Sequence, residues 1–168
     1  MSDCLVIIDV EKTFINKFTR FIVPGIEELV KQVKFDHIVA TKFVNKEGSI
    51  FQKVLDWEGA LTEEQQKLDP RIEVLCERVF VKDTYSCFTR EFVEWLRQNK
   101  VSTIYFAGID LEACVLASAI SCFDSRIVPK ILAKYCASSV CNEPEPTLKI
   151  MEDMFGKDNV IKTFTVEK

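Results

Sequence analysis

"VSTIYFAGIDLEACVLASAI", residues 101–120, changes its hydrophobic pattern partway along. Residues 101–108 form an apolar run of strand length that ends at Gly108. Residues 112–123 carry the small-residue, apolar pattern of a helix. A strand that feeds directly into a helix is one half of a βαβ unit. The same alternation extends to both sides. "CLVIIDV" (4–10), "HIVATKF" (37–43), "ERVFVKDT" (77–84) and "RIVPKILA" (126–133) read as further strands, and "NVIKTF" (159–164) as a short last one. Between them, "GIEELVKQVK", "TREFVEWLRQNK" and "EPTLKIMEDMFG" have helical spacing, and residues 50–68 read as short helices and irregular structure. Pro24-Gly25 reads as a turn, Thr89 as an N-cap and Pro129 as a bulge or edge position. Strands this apolar are covered on both faces, so the expected fold is one parallel sheet with helices on both sides.

The composition fits that reading. The chain has 168 residues, 48% of them hydrophobic and 29% charged, with a formal net charge of −4. That is enough for one domain spanning residues 1–168. The charge and the lack of a Lys/Arg run argue against a nucleic-acid partner. No stretch reaches the roughly 20 apolar residues of a membrane span. The N-terminus lacks a signal-peptide pattern, so the expected location is the cytoplasm. The seven cysteines are irregularly spaced and include no CxxC pair. Most are therefore expected to be small buried hydrophobes. His37 is the only histidine, which excludes a multi-histidine metal site.

Ligands in such folds bind beyond the C-terminal ends of the strands. Three ionisable residues gather there: Asp9 after the first strand, Lys82 near the end of the third and Cys114 after the fourth. Each has an ordinary alternative: Asp9 as a turn cap, Lys82 reaching solvent, Cys114 as core. Together they form a chemical set. A helix N-terminus and an ammonium lower a thiol's pKa, and a carboxylate can shuttle its proton. Backbone N–H groups at the strand-to-helix turn can hold an oxyanion.

The motif segments "LVIIDVEKTF", "ATKFVNKEGSIF", "FVKDTYSCF", "AGIDLEACVLASA" and "YCASS" resemble, in that order, the isochorismatase-like cysteine hydrolases. This superfamily includes nicotinamidase and N-carbamoylsarcosine amidase. The resemblance implies a three-layer α/β/α sandwich around a mainly parallel, six-stranded, Rossmann-like sheet. It implies Asp9 as general base and acid, Lys82 as stabiliser of the thiolate and Cys114 as nucleophile. It also implies a cis peptide at Ile109–Asp110, with the Asp110 and Cys114 N–H groups as oxyanion hole. Phe14, Tyr85 and Glu112 are expected at the substrate, with Phe88 and Trp57 as further aromatic candidates. Self-association is common in the family, so a homo-oligomer is expected.

The chain also departs from the family pattern. Glu11 stands in place of a glutamine, and Leu111-Glu112 in place of Thr-Asp. The nicotinamidase metal ligands are absent from "KFVNKEGS" (42–49), so no metal and no other cofactor is expected. The implied activity is cleavage of a C–N bond in a small amide or carbamoyl compound through a thioester. The alternatives are a vinyl-ether hydrolase, as in isochorismatase itself, or a silent binding scaffold. A nucleotide-binding domain is disfavoured because no glycine follows the first strand in "DVEKTFINKF".

Overall fold

The first strand shows how the molecule is layered. The computed structural model describes residues 1–140 and 143–163, and in it β1 spans Ser2–Ile8. Cys4, Val6 and Ile8 point into one apolar core, and Leu5 and Ile7 into another. Successive side chains of a strand face opposite ways, so an unbroken apolar run needs cover on both sides. Helices α4 (Arg90–Gln98), α5 (Leu116–Asp124) and α6 (Glu145–Phe155) supply Phe92, Ala119 and Met151 to the first core. Helices α1 (Ile22–Gln32), α2 (Ile50–Leu55) and α3 (Pro70–Glu73) supply Ile26, Phe51 and Ile72 to the second.

Between these layers, β2 (His37–Phe43), β3 (Arg78–Lys82), β4 (Val101–Ile109), β5 (Val128–Ala137) and β6 (Val160–Ile161) join β1. Among the described residues they form one six-stranded sheet in the order β3-β2-β1-β4-β5-β6, with every neighbouring pair parallel. The expected three-layer α/β/α sandwich is the observed one. Its topological switch point lies between β1 and β4, where such sheets place ligands.

Several boundaries differ from the sequence reading. Pro24 and Gly25 lie inside α1 instead of forming a turn. The first N–H groups of a helix have no partner within it, so proline is tolerated in that turn. The first strand stops at Ile8 because Asp9 takes φ 48°. β5 runs on to Ala137, four residues beyond the expected end at Ala133. Pro129 pairs with Ile104, while β6 pairs only from Ile131 onward, so the far side of β5 is open at the proline. The Thr89 hydroxyl caps α4 by accepting from the Phe92 N–H. The last expected strand reaches residue 164, which lies outside the described residues, as does Cys141. Among the described residues, no helix is long and apolar enough to cross a membrane.

Candidate active site

Gly108 brings the strand ends at the switch point together. It sits opposite Ile8 with φ 127°, and a Cβ there would lie 2.1 Å from the Ile8 carbonyl oxygen. Only glycine permits that approach. Immediately beyond it, the Ile109–Asp110 peptide is cis and the chain enters a π-helical turn, Leu111–Val115, that continues into α5. Cys114 therefore sits in this turn, ahead of the α-helix proper. The N–H groups of Ala113 and Val115 donate to the Asp110 carbonyl, and that of Leu116 to Leu111.

Asp9, Lys82 and Cys114 meet at one point. Lys82 Nζ lies 2.7 Å from Asp9 Oδ2, 3.5 Å from Cys114 Sγ and 2.9 Å from the Thr84 carbonyl. All three side chains are buried. Asp9 Oδ2 is held by the ammonium as an ion pair without a well-directed hydrogen bond. Asp9 Oδ1 accepts from the Thr41 hydroxyl at 2.6 Å, and the same hydroxyl accepts from the Asp9 N–H at 3.2 Å. Thr41 thus fixes the carboxylate from the neighbouring strand. Its only sequence signal is a hydroxyl among the inner residues of "HIVATKF", next to Val39 and Ala40.

The electrostatics differ from the sequence expectation in one respect. The thiol of Cys114 is pushed well above its ordinary value, first by burial and then by the Asp9 charge, against the opposing pull of Lys82. The expectation of a thiol lowered by helix and ammonium is therefore corrected. Desolvation of the thiolate outweighs the single cation, whose charge Asp9 already balances. Burial opposes the Lys82 ammonium, but the Asp9 carboxylate more than offsets this and holds Lys82 above its ordinary value.

Glu11 is wholly buried beside this cluster. Burial and the Asp9 charge push its carboxyl up to about 9, so at neutral pH it is a neutral acid. One oxygen accepts from the Phe43 N–H, and the other has no hydrogen-bond partner among the described residues. A protonated carboxyl has nearly the shape and polarity of the amide it replaces in the family pattern, so the substitution adds no negative charge at this position.

The cluster opens into a cavity of about 360 Å³. Phe14, Tyr85, Glu112 and Trp57, the residues expected near the substrate, line it. Phe88 does not; its ring packs 5.4 Å from Phe92 in the core beneath α4. Ser139, from the "YCASS" segment, lines it too, whereas the sequence reading missed Phe43 and Phe51 as lining residues. Nothing in a chain with 13 phenylalanines marks which of them face a cavity. Asn45 donates to the Gly59 carbonyl at 3.0 Å and so anchors the loop that carries Trp57. Ser139 donates from its N–H and its hydroxyl to Asp110, and Ser138 donates to Glu112 at 2.5 Å. The end of β5 thus supports the turn. Leu111, in place of the family threonine, is buried in the core and holds the turn by packing. His37 is remote from the site, with Nδ1 2.9 Å from Glu77 and its ring against Trp95.

Comparison with known proteins places this geometry. No curated protein sequence matches the chain. Solved structures match it closely in shape at low identity. An isochorismatase-like hydrolase from Alkaliphilus metalliredigens aligns with TM-score 0.81 and 16% identity over 94% of this chain and 93% of that one. A pyrazinamidase/nicotinamidase from Streptococcus mutans aligns with TM-score 0.80 and 19% identity, over 92% and 98% of the two chains. N-carbamoylsarcosine amidase from Thermoplasma acidophilum gives TM-score 0.80 and 16% identity, over 97% and 100%. The isochorismatase domain model matches residues 3–157, nearly the whole length, and the chain accordingly belongs to the isochorismatase-like hydrolase family.

Proposed function

We propose that this enzyme is a cysteine amidohydrolase that cleaves a C–N bond of a small amide or carbamoyl compound. The observation that carries the reading is the contact of Cys114 Sγ with Lys82, itself ion-paired to Asp9, at the floor of an open cavity. The nicotinamidase and carbamoylsarcosine amidase folds support it.

The resting thiol is neutral, its proton kept by burial and by the neighbouring Asp9 charge. In the reaction its proton passes to Asp9 as Sγ attacks the carbonyl carbon. Lys82 stabilises the sulfur as negative charge develops on it. The N–H groups of Asp110 and Cys114 receive the oxyanion, where pre-aimed donors are worth most. Asp9 returns the proton to the leaving nitrogen, the C–N bond breaks, and an acyl thioester remains. Water then attacks that carbonyl, gives its proton to Asp9 and releases the acid. The thiol regains the proton as it leaves. No metal and no other cofactor enters these steps.

Ammonia or amine release from a library of small amides tests the reading. Cys114→Ala is expected to abolish turnover, a loss of at least about a thousandfold. Turnover equal to that of the unaltered enzyme would reject the mechanism.

A further inference from the structure

The cavity over Cys114 has a definite charge character. Its walls are aromatic. Phe14 and Trp57 lie nearly parallel, 5.9 Å apart and 11° off, and Tyr85 meets Phe51 edge-on at 5.1 Å. The charged groups that line it are Asp110 and Glu112. Among the described residues lining it there is no lysine, arginine or histidine. Lys82 lies below the cavity floor, buried and matched by Asp9, so it offers no free positive charge to a ligand.

The two acids differ in availability. Both oxygens of Asp110 accept from Ser139. Glu112 uses one oxygen to accept from Ser138, and its other oxygen makes no hydrogen bond among the described residues. Glu112 is half-buried, so a charge brought to it is partly shielded from water. Aromatic faces carry negative quadrupoles and attract cations, most strongly where water is displaced. Like charges in such a setting repel. The cavity therefore selects by sign as well as by shape.

We infer that the substrate is a flat cation, a planar amide or carbamoyl compound whose ring lies against Phe14 and Trp57 and whose positive charge faces Glu112. The position of its amide carbonyl over Cys114 rests on the amidohydrolase reading. The charge preference stands on the cavity alone.

Three amides of similar size and different charge test it: 3-carbamoyl-1-methylpyridinium (cationic), 3-methylbenzamide (neutral) and 3-carbamoylbenzoate (anionic). Their binding to the full-length Cys114→Ser protein is followed by the fluorescence of Trp57, which lines the cavity. The cation is expected to bind at least tenfold tighter than the neutral amide, with the anion weakest. The cation's advantage should shrink at least fivefold in a Cys114→Ser, Glu112→Gln protein, and should decrease with added salt. Equal affinities, preference for the anion, an unchanged ratio in the Glu112→Gln protein, or no binding of any of the three would overturn the inference. Ammonia release by the unaltered enzyme is measured in parallel on the same compounds. Selective cation binding without turnover of any of them rejects the amidohydrolase reading and leaves the charge preference standing.

Discussion

Three buried ionisable side chains in contact set the behaviour of single residues. The Lys82 ammonium and the Asp9 carboxylate are affordable in the interior only as a pair. Lys82→Met leaves Asp9 buried and uncompensated. The variant is expected to lose roughly 3–5 kcal/mol of stability in urea unfolding. Adding Asp9→Asn should restore most of it. Cys114 offers a second check. Its resting thiol is neutral, so alkylation by iodoacetamide is expected to accelerate steadily from pH 6 to pH 10. A rate that levels off below pH 8 would mean a resting thiolate and a different division of labour. Glu11 supplies a pH dependence of its own. Its carboxyl is raised from an ordinary value of 4.5 to about 9, so the folded state keeps a proton that the unfolded chain releases. The stability that this group contributes is fully present below pH 4.5 and is lost as pH rises through about 9. Glu11→Gln removes that dependence. It is expected to raise stability at pH 9 by about 1–3 kcal/mol, since a buried unpaired charge no longer forms. Urea midpoints of both proteins across pH 5–9 decide it, and parallel curves would contradict the assignment of a neutral acid.

Among the elements, the turn between β4 and α5 gathers the most candidate-site residues in the shortest stretch. Gly108 allows β4 to approach β1, and its replacement meets backbone atoms on a central strand. Gly108→Ala is expected to cost more than about 3 kcal/mol and to reduce soluble yield. Its thermal melt tests this, and a melting temperature within a degree of the original would show that the strands can separate freely. The turn is braced from β5, where Ser139 holds Asp110 and Ser138 holds Glu112. This explains how Leu111 can replace a hydroxyl residue there: packing and the serines take over its support. The α4 cap is a contrasting case. Thr89 was legible as a cap because the pattern is local, a hydroxyl three residues ahead of the N–H it accepts from.

For the molecule as a whole, the two apolar cores share one sheet. Leu5, Val6 and Ile7 of β1 each sit between two residues that face the other core. We therefore propose that residues 1–168 unfold as a single unit. Urea transitions followed by Trp95 in the first core and Trp57 in the second should coincide, and separated midpoints would indicate two units. The strand order also accounts for the location of the site. Asp9 and Cys114 follow β1 and β4 and Lys82 ends β3, elements far apart in the chain, and a parallel sheet brings their C-terminal ends to one rim.

The order of strands and helices, the cover on both faces of the sheet, and the three residues that meet at its rim could all be read from the sequence. Each depends on a local period or on a residue placed at a strand end, and the chain displays both directly. The protonation states and the cavity could not be read this way. Whether Cys114 is a thiolate depends on how much water the surrounding core excludes, and burial there proved stronger than the adjacent cation. Whether Phe43 and Phe51, but not Phe88, line the cavity depends on how α2 and its loop fold over the sheet. These properties arise from groups distant in sequence that become neighbours only when the chain has packed, so only the tertiary structure decided them.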